Sequence, residues 1–522
     1  MNPESLPSTT SRDRLRDLAA TVDTDADDTL EVEAPATGEV VGEVPACTAA
    51  DLDRAVERAR EARREWTDRS ARARAAVLER FHDRLLDRRE EALDLVQLES
   101  GKARMDAMSE VLDVANTARY YANEAESTLE SEDRAPAVPG ATRTRVHHRP
   151  VGVVGAISPW NYPLTLAVSD LLPALLAGNA VLLKPDEETP YTALWVADLL
   201  RGCGLPEGLF PVVTGEGPEL GPALVEAVDF VQFTGSTAVG KEVAERAGRE
   251  LTPASMELGG KNPLLVLADA DVEKTASGAV TACFSNAGQL CIAAERLYVH
   301  TDVYDDFLDA FVGATRDLDL GVGYDYDAEM GSLQNADQLS KTREHLDDAV
   351  EKGAEVLTGG RERPDVGPYV HEPTVLTGVT EEMTLYREET FGPLVAVYEV
   401  DDVKEAVRRA NDSPYGLNGS VWTEDERLGE HVAEHLECGT VNVNDAYLAT
   451  WGAVDAPMGG MNDSGLGRRH GPEGLLKFTE SQTVAVNDGP VLGGSPSGFP
   501  GAWWERGMTA YLRARRKLGW SK

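Results

Sequence analysis

Three residues in this chain could do covalent chemistry together if the fold brings them into one place. Cys291 follows Gly288 in FSNAGQLCIAAER, and Glu257 stands immediately before a glycine pair in MELGGKNP. A thiol in a small-residue loop can be exposed and activated as a nucleophilic thiolate. A carboxylate in a partly apolar cleft can serve as a general base. Asn161, in ISPWNYPL between Pro159 and Pro163, is a rigid carboxamide able to donate to a developing oxyanion. Taken singly, each has a plainer reading: a buried thiol, a surface acid, a turn asparagine.

Two further segments suit a ribose or a pyrophosphate. AGNAVLLKPDEETP puts Lys184 and Glu187 after an apolar run, and DFVQFTGSTAVGKEV puts Gly235 and Ser236 before Gly240. Glycines there let backbone or a helix N-terminus approach phosphate. The pattern is neither GxGxxG nor a P-loop, so alone it is weak.

These groups need elements to hold them. Residues 50–130 carry apolar residues at three-to-four spacing with few breakers, which predicts helices. TRTRVHHRPVG alternates and reads as an extended segment. From residue 151, short β-branched runs (VGVVGAIS, AVLLKP, FPVVTG, DFVQFTG) alternate with helical stretches. That alternation predicts a parallel, doubly wound α/β sheet, whose ligands bind beyond the carboxyl ends of the strands. A second α/β stretch runs from about residue 257 to about 460. LLKFTESQTVAVN follows as a late strand, then the linker GPVLGGSPSGFPG, then a basic aromatic tail.

The 522 residues carry 90 Asp+Glu against 50 Lys+Arg, a net charge of −40. Such a field repels nucleic acid and anionic membranes, which excludes both as expected partners. Only 11 of the basic residues are Lys and 39 are Arg. An acidic, lysine-poor surface implies adaptation to concentrated salt, where repulsion is screened within a few ångströms. Five widely spaced Cys, with no CxxC, suggest neither a disulfide framework nor a metal site. Neither a secretory leader nor a membrane-spanning run is visible, and a cytoplasmic location is expected.

PWNYP, KPDEETP, FTGSTAVG, MELGGKNP, GQLC, EETFGP and PMGGMNDSGLGR, in this order, resemble the aldehyde dehydrogenase superfamily. The likeness extends over roughly residues 30–490. It implies that Cys291 is the nucleophile, Glu257 the base that activates water, and Asn161 the oxyanion donor. It also implies a nicotinamide nucleotide held by Trp160, Lys184, Glu187, Gly235, Ser236, Glu389 and Phe391. Glu187 suits a free 2′-hydroxyl, so NAD is the preferred cofactor expected, with NADP possible. The implied fold has a doubly wound NAD-binding domain (1–134 and 151–256) and a second α/β catalytic domain (257–470). A small β bridging element (135–150 and 471–490) would pair strands in a homodimer or homotetramer, and a tail (491–522) would follow.

The late block most resembles succinate-semialdehyde dehydrogenases, so oxidation of that aldehyde to succinate is expected. Some such enzymes place Arg where this chain has Ser169 and Ser285. With those arginines missing, Tyr447 and Trp451 could line an apolar tunnel for aromatic or medium-chain aldehydes. Arg469 stands where many members carry Glu. A non-catalytic binding protein on this fold is the remote alternative, since fold alone does not prove function.

Overall fold

A computed structural model of the chain describes residues 6–137, 141–489 and 500–517. The β-branched runs form strands that assemble into two mostly parallel sheets. The first has five strands in the order Gly465–Leu466, Ala254–Glu257, Phe230–Thr234, Val153–Ile157, Ala180–Lys184. All neighbours run parallel except the Gly465–Leu466 edge. The second has seven strands: Glu355–Thr358, Thr374–Thr377, Leu394–Val400, Ala294–His300, Asn262–Val266, Asn418–Trp422, Thr440–Val443. Only Glu355–Thr358 is antiparallel to its neighbour.

Phe230–Thr234, Ala180–Lys184, Asn262–Val266 and Asn418–Trp422 are buried at every position. Continuous burial is the mark of strands covered on both faces, and explains why these runs do not alternate with polar residues. The long helices that precede residue 130 pack beside the first sheet. Among them Trp66 is buried, and its Nε1 donates to the Leu175 carbonyl at 2.7 Å. A buried indole must find such an acceptor or lose its hydration without compensation.

A third sheet of three antiparallel strands joins Glu132–Arg134, Thr142–Pro150 and Thr479–Asn487. Thr479–Asn487 pairs along its whole length on one side, and its residues are largely exposed. Two pairings depart from the expected segment boundaries. Gly465–Leu466 joins the first sheet although it lies in the 257–470 segment, and Glu132–Arg134 joins the third although it lies in 1–134. Both are short, and the pairing of short strands is decided by distant neighbours.

Helix Gly501–Lys517 has no buried residue. Residues 138–140 of the expected bridging element, and 490–499 and 518–522 of the expected linker and tail, lie outside the described residues. Among the described residues, no helix is long and apolar enough to cross a membrane.

The two sheets tolerate little added volume. On helix Val272–Phe284, a Cβ at Gly278 would lie 2.1 Å from Cη2 of Trp422. That ring is buried, and its Nε1 donates to Ser420 Oγ at 2.8 Å, so it has no free direction of retreat. Gly278→Ala is expected to destabilise the fold by about 1–3 kcal/mol, measurable as a lower Tm.

Candidate active site

A cleft of about 550 Å³ runs over the carboxyl ends of the first sheet's strands, past Ile157, Lys184, Glu187 and Ser236. It shares Pro159, Trp160, Thr234, Gly235 and Ser236 with an inner cleft of about 160 Å³. Asn161, Glu257, Cys291, Glu389 and Phe391 line that inner cleft. Residues from four strand ends and two loops thus converge at the place where open α/β sheets bind ligands.

Each reactive group is held by its neighbours. Cys291 follows a tight turn, and Asn262 Nδ2 donates to its carbonyl at 2.8 Å. The same carboxamide donates to the Ala293 carbonyl at 2.7 Å and accepts from Asn418 N–H at 2.9 Å. The glycine pair of MELGGKNP is needed for close approach. A Cβ at Gly260 would lie 2.5 Å from the Cys291 carbonyl oxygen, and one at Gly259 would lie 2.5 Å from Glu389 Oε2. Asn161 is buried, and its Nδ2 donates to the Gln289 carbonyl at 3.0 Å.

Burial dominates the electrostatics. The Cys291 thiol is pushed up to about 12, first by burial, then by the Glu389 and Glu257 carboxylates; Arg469 and the residue's own N–H pull the other way. Glu257 is raised to about 8, first by burial and then by Asp170, against Lys477, Arg469 and Arg468. Its Oε1 has no hydrogen-bond partner among the described residues. An acid poised near neutrality with an unengaged oxygen is suited to take a proton.

The nucleotide-side residues also fit their expected ligand. Lys184 is buried and its Nζ lies 2.8 Å from Oε2 of Glu187, which is 40% exposed. Ser236 caps helix Thr237–Glu250, accepting from Val239 N–H at 3.4 Å, and so stands at a positive helix end. Trp160 and Phe391 meet edge to face at 5.6 Å. Phe391 has φ +58°. Glu295 holds this turn by accepting from the N–H groups of Thr390 and Phe391, and is itself paired with buried Lys261. Glu389 Oε1 accepts from Gly260 N–H at 2.8 Å. A long cleft with a Lys/carboxylate end, a helix N-terminus and an aromatic pair has the donor set for a dinucleotide. Among the described residues, no group of three or more His, Cys, Asp or Glu is placed to hold a metal ion.

The four residues expected at a substrate tunnel, Ser169, Ser285, Tyr447 and Trp451, are not among the residues that line the inner cleft. Ser169 Oγ donates to Asp113 at 2.6 Å, and Trp451 Nε1 donates to the other oxygen of the same carboxylate at 2.8 Å. Ser285 Oγ donates to the Thr281 carbonyl at 2.8 Å. Trp451 contacts both Tyr162 and Tyr447, with ring centroids at 5.4 and 5.7 Å.

Several supporting residues escaped the sequence reading. Asp170 pairs with Arg469 at 3.0 Å beside Glu257, and Lys477 Nζ donates to Gln232 and Ser255 at 2.9 and 3.3 Å. Lys261 and Asn262 sat inside a motif already singled out. Asp170, Glu295 and Lys477 carried no local signal.

Residues 21–484 match the model of the "Aldehyde dehydrogenase family". A Mycobacterium tuberculosis protein provisionally named succinate-semialdehyde dehydrogenase NADP(+) 2 is 48% identical over 516 residues, covering 98% of this chain and 99% of its own. A Mycolicibacterium smegmatis protein, provisionally named succinate-semialdehyde dehydrogenase NADP(+), is 49% identical over 512 residues, with 98% and 99% covered. Among solved structures, betaine aldehyde dehydrogenase from Staphylococcus aureus in complex with NAD+ superposes with TM-score 0.86 at 32% identity, covering 93% of this chain and 99% of that one. An E. coli NADP-dependent enzyme gives TM-score 0.86 at 33% identity, with 89% and 96% covered.

The nearby carboxylates oppose ionisation of the thiol, so removing one must ease it. Glu389→Gln is expected to lower the Cys291 pKa and to speed its alkylation by iodoacetamide near pH 9 by about threefold or more. Peptide mapping would identify the alkylated residue, and an unchanged or slower rate would contradict this reading of the site.

Proposed function

The chain belongs to the aldehyde dehydrogenase family, and on that premise we propose that it oxidises succinate semialdehyde to succinate through a thioester on Cys291. The enzyme is an NAD(P)-dependent oxidoreductase acting on an aldehyde. The observation that carries the residue roles is the meeting of Cys291, Glu257 and Asn161 in one inner cleft continuous with a dinucleotide-sized one.

Bound oxidised nicotinamide nucleotide supplies the hydride acceptor. The protein's part begins with Glu257, which takes the proton of the buried thiol. Sγ of Cys291 then bonds to the aldehyde carbon, and the carbonyl π electrons move to oxygen. Asn161 Nδ2 and the Cys291 N–H are the donors offered to that oxyanion. Once the aldehyde C–H has been oxidised, Cys291 carries a thioester. After passing the thiol's proton on to solvent, Glu257 deprotonates a water, whose oxygen bonds to the thioester carbon while the C–S bond breaks; the sulfur leaves as a thiolate that takes the proton of the new carboxyl group, and the product departs as a carboxylate.

The substrate assignment is supported by the names of the mycobacterial relatives. Aromatic or medium-chain aldehydes form the second reading, favoured by Ser169 and Ser285, which bring no cation, and by the Tyr162–Trp451–Tyr447 cluster. For the cofactor, the relatives' names turn the expectation from NAD towards NADP. We read Lys184 as the partner of a 2′-phosphate. Glu187 is exposed enough to turn into solvent, which frees Nζ for an anion. The exposed Thr479–Asn487 strand, which stands at the edge of its sheet among the described residues, supports a homodimer or homotetramer, because sheet edges are where strands of separate copies can join. The first sheet would serve the nucleotide and the second the chemistry. The −40 charge supports working in concentrated salt, so assays belong in molar salt.

Cys291→Ala is expected to abolish aldehyde-dependent NAD(P)H formation while the fold stays intact. Glu257→Gln should retain slow acylation but lose steady-state turnover by about 10²-fold or more. Because burial raises Glu257 to about 8, its basic form grows as pH rises. Steady-state kcat should therefore climb through that value and level off above it. A kcat independent of pH between about 6 and 9 would count against Glu257 as the base.

Glu187→Gln should raise kcat/KM for NADP relative to NAD by about tenfold, since the carboxylate no longer competes with the 2′-phosphate for Lys184 Nζ. No change in the ratio would mean that Lys184 is not the partner of the 2′-phosphate. Rapid turnover of succinate semialdehyde would support the first substrate reading. Negligible turnover, beside good activity on benzaldehyde or hexanal, would support the second.

A further inference from the structure

The loop that carries the nucleophile has a left-handed backbone over three residues in a row. Asn286, Ala287 and Gly288 have φ of +50°, +55° and +74°. Only glycine adopts such a conformation freely, so the run persists where its surroundings over-determine it.

Those surroundings come from one segment far away in sequence, Lys102 and the first turns of helix Arg104–Thr128. Asp106 Oδ2 accepts from the Asn286 N–H at 3.0 Å. Lys102 Nζ donates to Glu110 Oε1 at 2.6 Å and to the Asn161 carbonyl at 2.7 Å. It also sits 3.8 Å from the Tyr162 ring centroid, a cation–π arrangement. Glu110 Oε2 accepts from the N–H groups of Leu164 and Thr165 at 2.9 and 3.0 Å, in the first turn of helix Pro163–Val168.

The circuit closes on the reacting groups. Asn286 Nδ2 donates to the carbonyls of Asn161 and Gln289, both at 3.1 Å, and Asn161 Nδ2 donates to that same Gln289 carbonyl. Both side chains of the Lys102–Glu110 pair are wholly buried. A buried ion pair adds little stability over an apolar replacement, so a positional role is the better account of this one.

We propose that Lys102 and Glu110 are positioning residues that hold the Asn161 carboxamide and the Cys291 loop in register. This rests on the roles assigned to Cys291 and Asn161 above. Neither residue touches the cleft that receives substrate. Their effect passes through the Asn161 carbonyl and the start of the Pro163–Val168 helix. Charge and length both matter: the ammonium must reach Glu110, Asn161 and the Tyr162 ring at once.

The test compares full-length wild type, Lys102→Met and Glu110→Gln. Lys102→Met preserves length and burial but removes the three donors. The expected result is a fall in kcat and in the pre-steady-state NAD(P)H burst of about 10²-fold, the cost of a misplacement near 1 Å. Nucleotide Kd and aldehyde KM should stay within about twofold, because the nucleotide cleft is untouched. Glu110→Gln should show the same split with a smaller loss. Alkylation of Cys291 by iodoacetamide should be about fivefold faster in Lys102→Met, as the released loop exposes the thiol.

A kcat within about threefold of wild type in both variants would overturn the proposal. So would a parallel loss of nucleotide affinity and turnover, which marks general damage. If Lys102→Met does not fold, Glu110→Gln decides by the same readouts. If the wild type oxidises no aldehyde, the proposed function fails, and the alkylation comparison decides the positioning role by itself.

Discussion

The site depends on holding backbone in a conformation that its side chains resist. Left-handed residues lie in both loops that reach the inner cleft, Asn286 and Ala287 ahead of Cys291 and Phe391 in the turn after Glu389. Each non-glycine residue there costs ~1–3 kcal/mol of strain. Charge-assisted bonds from two carboxylates, half-buried Asp106 and buried Glu295, oppose it. Asp106 takes the Asn286 N–H, and Glu295 takes those of Thr390 and Phe391. Hydrogen bonds to charged groups contribute about 1.5–3 kcal/mol, enough to offset strain of that size. Lys102–Glu110 and Lys261–Glu295, both buried, support the two loops from outside the cleft.

This arrangement makes the site electrostatically tense. Glu257 and Glu389 are both raised by burial, and Cys291 is raised by burial and by both of them. Arg469, Lys477 and Arg468 moderate Glu257, but Asp170 occupies Arg469 at 3.0 Å and blunts its help. The resting thiol is therefore protected as a neutral group. Its ionisation calls for a base close by. The guanidinium of Arg469 stays charged across the accessible pH range, so it shapes the field without carrying protons.

The fold was legible where a local signal had a local cause. Fully buried β-branched runs reported strands covered on both faces, and the alternation with helices reported a parallel sheet. Helix Arg104–Thr128 could be read from apolar periodicity, but not the inward-facing polar residues at and just before its start. Lys102, Asp106 and Glu110 look like ordinary helix-surface charges in sequence. Only their contacts with the Asn161 and Asn286 segments reveal them. The short strands Glu132–Arg134 and Gly465–Leu466 were unreadable for a related reason: each takes its place from a partner more than a few residues away.

What the sequence by itself determined was the chemistry available: a thiol in a small-residue loop, a carboxylate before two glycines, a carboxamide between prolines. Motif order and residue type were enough to name these candidates, because the capacity to act as nucleophile, base or donor belongs to single side chains. The tertiary structure decided how those groups are tuned and held. It set Ser169 on Asp113 beside Trp451, Lys184 against Glu187, and the Lys102–Glu110 pair behind Asn161. Burial and the sum of surrounding charges fix a group's proton affinity and orientation, and both are contributed by residues that no local pattern connects.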